Sequence, residues 1–272
     1  MKPIQMIMCD IDGTLINDQK QLSDYTRETL KQLKKTSVLF GICTGRSLEA
    51  ITRLIKEWQI EDLCDILIGM NGNHIIDLNH HQEYVVKTLD TSILNDVICE
   101  YRSFNISTGS MIKQTYHYTT DNQFVQHLIW QNKFTGCQNH FEVFEHQPIF
   151  KICHLGQKED LDKVQDYYNQ HPDPRYQLVR STSWCLECMP PHTSKATGIK
   201  YIADLYNISF ENIAAFGDEI NDIEMFKFCG ISVLMENGNP QVKQYTNYST
   251  KSNNEDGVAY FIQKHFLNQK SF

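Results

Sequence analysis

Four short segments hold the residues best suited to chemistry. In Asp10-Ile11-Asp12-Gly13-Thr14, two carboxylates precede a glycine and end an apolar run that begins at Ile4. A sharp turn there would present both acids at a strand end, Asp10 to attack a phosphorus atom and Asp12 to protonate the departing alkoxide. A carboxylate approaches an anionic ester only when their repulsion is offset, which calls for a divalent cation shared with the phosphate. An Asp-Gly turn leading to a helix cap would use the same residues. Thr44-Gly45-Arg46 closes a second apolar run, Val38 to Cys43. A hydroxyl and backbone N–H groups at a helix start make a phosphate cradle, and they also make an ordinary N-cap. Lys195 could neutralise a phosphoryl group as a point charge, or be one exposed lysine among many. Gly217-Asp218-Glu219-Ile220-Asn221-Asp222 puts Asp218 at a strand end and Asn221 and Asp222 in the next helical turn. Carboxylates this dense repel unless a metal or lysine sits between them, or unless all are solvated capping acids.

The elements that must position these groups follow from periodicity. Buried strands are expected at Ile4–Ile11, Val38–Cys43 and Ile66–Ile68, with amphipathic helices over Asp24–Lys35 and from Ser47 to about Trp58. Asn71-Gly72 is a turn dipeptide leading to His74-Ile75-Ile76. Strand alternating with helix predicts an α/β core, a doubly wound parallel sheet with helices on both faces. Ligands of such sheets sit at the C-terminal ends of the strands, where the four segments fall. From about Glu83 to Pro190 the chain turns polar and aromatic, with alternating strands near 149–155 and 184–189. Helical stretches lie near Thr91–Phe104, Asp121–Gln131 and Lys158–Gln170. This predicts an inserted α+β domain over 83–190 with an antiparallel sheet, and a discontinuous core of 1–82 and 191–272. The core rhythm resumes with a helix over Ser194–Tyr206, strands at 212–216 and 231–235, and a last helix over Gly257–Leu267.

Composition narrows the partners. Lys+Arg 25 against Asp+Glu 33 gives a net charge of −8, with no basic stripe for a nucleic-acid backbone. An anionic substrate would therefore need a local cation. No apolar run has the length of a membrane span, and no secretory signal is evident. The nine scattered cysteines then suggest reduced thiols in a cytoplasmic protein. Cys185 and Cys188 form an isolated C-x-x-C; in a strand the two face opposite sides, which favours filler over a metal site. Tyr116, His117 and Tyr118 could face a substrate or be ordinary sheet surface.

Taken together and in this order, the segments resemble the haloacid dehalogenase-like (HAD) superfamily of phosphohydrolases. D-x-D-G-T comes first, a strand-end Thr second, an isolated Lys third and G-D-x-x-N-D fourth. The insertion falls between the second and third, where that superfamily places a C2-type cap. Asn71-Gly72, Met235-Glu236-Asn237-Gly238-Asn239 and Asp256-Gly257-Val258-Ala259 are similar to the Cof-type branch with a C2B cap, although Asn239 stands where Ala is usual. The resemblance implies Asp10 as nucleophile and Asp12 as general acid and then base. Mg²⁺ would be held by Asp10, Asp218 and the backbone carbonyl of Asp12. Thr44 and Lys195 would bind the transferring phosphoryl with Gly45 and Asn221, and Asp222 would orient Lys195 or a metal-bound water. Arg46 would reach the substrate or the cap. The implied substrate is a small phosphomonoester such as a sugar phosphate, flavin mononucleotide or pyridoxal phosphate, acted on by a monomer or weak homodimer. The cap would close over the site and screen substrates. A phosphotransferase or mutase of the same superfamily is the nearest alternative; a non-catalytic phosphoacceptor module is a remoter one.

Overall fold

The computed structural model describes residues 4–267. Its first elements are β1 (Met6–Cys9), α1 (Asp24–Leu33), β2 (Leu39–Cys43), α2 (Leu48–Glu57), β3 (Ile66–Gly69), β4 (His74–Asp77) and β5 (Gln82–Val85). The insertion follows with α3 (Thr91–Tyr101), β6 (Ser107–Ile112), β7 (Thr115–Tyr118), α4 (Gln123–Asn132), β8 (Thr135–Gln138), β9 (Ile152–Leu155), α5 (Lys158–Gln170), β10 (Gln177–Thr182) and β11 (Cys185–Met189). The chain then returns through α6 (Lys195–Leu205), β12 (Ile213–Gly217), α7 (Ile223–Phe228), β13 (Ile231–Leu234), β14 (Tyr248–Ser249) and α8 (Gly257–Ile262).

Two compact units result, Met1–Val86 with Ser194–Phe272, and Lys87–Thr193. The first holds an eight-stranded sheet in the order β14-β13-β12-β1-β2-β3-β4-β5. Pairing is parallel from β14 to β3, but β4 runs the other way and pairs antiparallel with both β3 and β5. Because β5 bonds to β4, residues 82–85 belong with the core sheet, and the insertion begins later than the change in composition. Ile7 and Cys9 of β1 face one apolar layer, with Leu30 of α1, Ile51 of α2 and Phe261 of α8. Met6 and Met8 face the other, with Ile199 of α6 and Met225 of α7. Burial on both faces explains why β1 reads as an unbroken apolar run. Both early helices start on the expected hydroxyls: Ser23 accepts from the Thr26 amide and Ser47 from the Ala50 amide.

The inserted unit holds a six-stranded sheet in the order β10-β11-β9-β6-β7-β8. It is antiparallel except for the parallel pair β7–β8, which the sequence reading did not anticipate. Ile93 and Val97 of α3 and Leu161 and Val164 of α5 pack with Ile152 and Leu186 of the sheet. Tyr116, His117 and Tyr118 are buried rather than displayed on the sheet surface. Cys185 and Cys188 part company along β11. Cys185 clusters with Cys153 and Glu187, whereas the Cys188 thiol lies 3.4 Å from His154 Nε2.

That histidine gives the unit an acid-sensitive stability. His154 is fully buried, with Nδ1 bonded to the Thr108 hydroxyl at 2.9 Å, and burial pulls its pKa from 6.5 down to about 3. Between those values the unfolded chain takes up a proton that the folded chain refuses, so stability falls as pH drops below 6.5. The loss reaches about 2 kcal/mol by pH 5. Urea midpoints at pH 7.5 and pH 5 check this. The drop should be larger in the wild type than in His154→Gln, and equal drops would refute it.

Candidate active site

The sheet order sets the site. β1 lies between β12 and β2, and the strand connections diverge to either side of it, which opens a crevice beyond the C-terminal ends of these strands. The register places Cys9 opposite Phe216 and opposite Ile42, so Asp10, Asp218 and Thr44 emerge from three neighbouring strands within a residue or so of one level. The Asp10 amide bonds the Phe216 carbonyl at 3.0 Å, fixing the chain as it leaves β1. Gly13 then turns with φ +72, and a Cβ there would collide with the Asp218 carboxylate. Only glycine combines that backbone with so close an approach.

Lys195, at the first turn of α6, points into the same place. It is 0% exposed, with Nζ 2.9 Å from Asp10 Oδ1 and 2.6 Å from Asp222 Oδ1. Its position depends on the Asn71-Gly72 turn. Gly72 has φ +101, and a Cβ would strike the Ser194 carbonyl just before the helix starts. Asp222 Oδ2 accepts from the amides of Asp218 at 2.9 Å and Glu219 at 3.0 Å, while Thr14 Oγ1 donates to Asp218 Oδ1 at 2.8 Å.

Carboxylate oxygens of Asp10, Asp218 and Asp222 lie within 4.8 Å of one another, all three buried. One lysine does not offset three acids. Burial raises the Asp10 pKa to about 6, with Lys195 opposing and Asp222 adding to the rise. Burial and then repulsion from Asp10 and Asp222 raise Asp218 to about 8. Lys195 is pushed up by the same two neighbours, Asp10 and Asp222, against its burial. A hard divalent cation fits this donor set. The oxygens are all carboxylate, they are crowded, and the charge deficit has the right sign.

Asp12 stands apart from this cluster. Its side chain is 32% exposed and is gripped by Arg46, with Nε to Oδ2 at 2.7 Å and Nη2 to Oδ1 at 2.9 Å, and by Lys20 Nζ at 2.8 Å. Burial works to raise its pKa, but the Arg46 bonds and charge and Lys20 outweigh it and hold Asp12 at about 2. Arg46, expected to reach a substrate or the cap, forks on Asp12 here. The match of planar guanidinium to carboxylate accounts for that choice. Thr44 is buried, its Oγ1 taking the Arg46 amide at 3.4 Å, and its carbonyl accepts from the Asn71 amide at 3.1 Å. Asn221 Nδ2 reaches Asn71 Oδ1 at 3.5 Å, and Gly45 packs so near Asn71 that an added Cβ would stand 3.1 Å from the same oxygen.

Several supporting residues escaped the sequence reading. Lys20 carries no signal of its role. Asn237 donates to the Gly13 carbonyl at 2.8 Å and accepts from the Asn253 amide at 2.9 Å, lacing the first motif to the loop after β13. Asn239, the departure from the expected Ala, bonds the Asp218 carbonyl through its amide at 2.8 Å and Glu219 Oε2 through Nδ2 at 3.2 Å. It therefore braces the fourth motif.

A family model described as haloacid dehalogenase-like hydrolase matches residues 7–262. The chain belongs to that family. Among its relatives, the Bacillus subtilis protein named 5-amino-6-(5-phospho-D-ribitylamino)uracil phosphatase YitU is 29% identical over 275 residues, covering 96% of this chain and 97% of the relative. A solved haloacid dehalogenase-like hydrolase from Bacteroides thetaiotaomicron is 26% identical with TM-score 0.87, covering 97% of this chain and 100% of that one. A sugar phosphatase of HAD subclass IIB shares the fold, with TM-score 0.82 at 20% identity over 96% of this chain and 98% of its own. This HAD-like hydrolase is accordingly an enzyme of the phosphatase type. No helix among its described residues is long and apolar enough to cross a membrane.

Proposed function

We propose that this HAD-like hydrolase cleaves small phosphomonoesters through a phosphoryl group carried on Asp10, with Mg²⁺ as the working cation. One observation carries the reading: three buried carboxylates from distant parts of the chain converge with one buried lysine at the mouth of the sheet. Asp10, Asp218 and the Asp12 backbone carbonyl would hold the metal, which would offset the charge of nucleophile and phosphate as they meet. An Asp10 oxygen attacks phosphorus, the ester P–O bond breaks, and the leaving oxygen takes a proton from Asp12. Asp12 then removes a proton from water, whose oxygen displaces Asp10 and frees inorganic phosphate. Lys195, Thr44, Gly45 and Asn221 bind the phosphoryl oxygens, while Asp222 keeps Lys195 aimed.

The grip of Arg46 and Lys20 favours the carboxylate form of Asp12, the form needed for the second step. The first step requires these cations to turn away, and a substrate phosphate or hydroxyl is a suitable alternative partner for them. The relatives' names favour phosphorylated sugars or ribityl compounds as substrate class, with flavin mononucleotide and pyridoxal phosphate as further members to screen. We place the enzyme in the cytoplasm, as a monomer or weak homodimer.

The test is phosphate release from p-nitrophenyl phosphate by the purified full chain. EDTA should lower the rate by at least ~10³-fold, in line with loss of several kcal/mol of charge stabilisation, and Mg²⁺ should restore it. Unaltered turnover in EDTA would refute the metal. Ester loss without matching free phosphate, with phosphoryl appearing on an added sugar, would favour the phosphotransferase reading.

A further inference from the structure

The inserted unit carries a second group of metal-ligating side chains for which the phosphatase chemistry has no use. β7 and β8 run parallel with His117 in register with Cys137, so neighbouring strands set an imidazole beside a thiol. β8 ends at Gln138, and Asn139 takes a left-handed conformation, φ 52, that returns the chain toward the strand pair. His140 follows at once. One ligand atom from each of His117, Cys137 and His140 lies within 4.8 Å of the other two. The Cys137 thiol is 3.8 Å from His140 Nδ1. A tetrahedral zinc site with ordinary Zn–S and Zn–N bonds spaces such atoms about 3.5 Å apart, so the Cys137–His140 pair needs a shift of only a few tenths of an ångström and the pairs with His117 at most a little over an ångström.

A second observation points to a ligand. His117 is only 4% exposed, and its Nδ1 is buried with no hydrogen-bond partner. Phe144 stands edge-on against the ring at 5.3 Å and seals one side. A buried nitrogen orphaned in this way calls for an explanation. His140 is arranged as ligating histidines usually are. With Nδ1 toward the thiol, its Nε2 lies 3.8 Å from Glu142 Oε2, a carboxylate able to orient the ring.

We propose that His117, Cys137 and His140 form a zinc site at the β8 edge of the inserted sheet, with the fourth position left to solvent. Two imidazoles and a thiolate make a borderline-soft set that selects zinc over magnesium, so this centre and the carboxylate centre would not compete for one metal. Half-buried Cys137 and exposed His140 leave a path for the ion. Binding would release the thiol proton to solvent as the Zn–S bond forms.

Cobalt(II) serves as the probe. Full-length protein stripped by chelator and titrated with Co²⁺ should develop a thiolate-to-cobalt charge-transfer band in the near ultraviolet, which Zn²⁺ abolishes. The band should persist in Asp218→Asn, whose lesion lies in the all-oxygen centre, and disappear in Cys137→Ser. In His140→Ala, which alters an exposed side chain, competition with a chromophoric chelator should show zinc bound at least ~10-fold more weakly. Lack of the band in the wild type, its survival in Cys137→Ser, or unchanged zinc affinity in His140→Ala overturns the proposal.

Discussion

Asp10→Asn should yield a folded protein that releases phosphate at least ~10³-fold more slowly than the wild type, a deficit of about 4 kcal/mol in the barrier. The carboxamide has the same shape and still offers an oxygen to Lys195, but it is a poor nucleophile toward phosphorus. The same change removes one of three crowded acids, so the variant should melt no lower than the wild type and up to ~1 kcal/mol more stably. That pairing of lost activity with kept stability is the mark of a site strained for its chemistry. Asp12→Asn should slow turnover by ~10²-fold or more, the usual scale of a proton-transferring group. Phosphate release and thermal melting of the two variants decide the matter. Wild-type turnover in Asp10→Asn would end the proposed mechanism.

The second large effect is structural as well as catalytic. Lys195→Met keeps a similar volume but leaves Asp10 and Asp222 facing one another without a cation. Removing one partner of a buried ion pair costs about 3–5 kcal/mol. For a protein of this size that corresponds to a drop of roughly 6–20 °C in Tm. The deficit should shrink in acid. Asp10 is pushed up to about 6 even with the lysine present, so protonation below that value relieves the repulsion that its loss exposes. The sign follows because a carboxylate with a raised folded pKa stabilises the fold at low pH and loses that contribution as pH rises through the folded value. Added Mg²⁺ should raise the variant's Tm more than the wild type's. A variant that melts like the wild type at pH 8 would show that Lys195 is not the neutralising charge.

The parts of this architecture that were readable from the chain are those where local and global demands coincide. β1 and β12 are apolar on both faces, and each ends in acids beside a glycine where a Cβ would collide with a carboxylate side chain. Gly13 both turns left-handed and admits the Asp218 carboxylate, so the D-x-D-G-T spacing encodes a tertiary contact in a local signal. Lys195 was readable only from its order among the motifs, since nothing near it marks a lysine as buried. The short edge strands were harder. β5 (Gln82–Val85) and β8 (Thr135–Gln138) are mostly exposed and lack an apolar alternation to reveal them. The Arg46–Asp12 fork, the Lys20 contact and the Asn237 and Asn253 lacing depend on where loops end up, which no periodicity records. The same holds for His117, Cys137 and His140, which meet through a parallel register between strands separated by α4.

Asp10 and Lys195 belong to one ion pair but stand on either side of the whole insertion. Synthesis at ordinary rates separates their emergence from the ribosome by roughly 10–40 s. Throughout that delay the nascent Asp10 has neither its cation nor the neighbouring strand β12 to lie against, while Lys87–Thr193, unbroken in the chain, can already condense. Translation therefore completes the inserted unit first and brings Lys195 to Asp10 last, so products truncated before residue 195 lack the ion pair altogether.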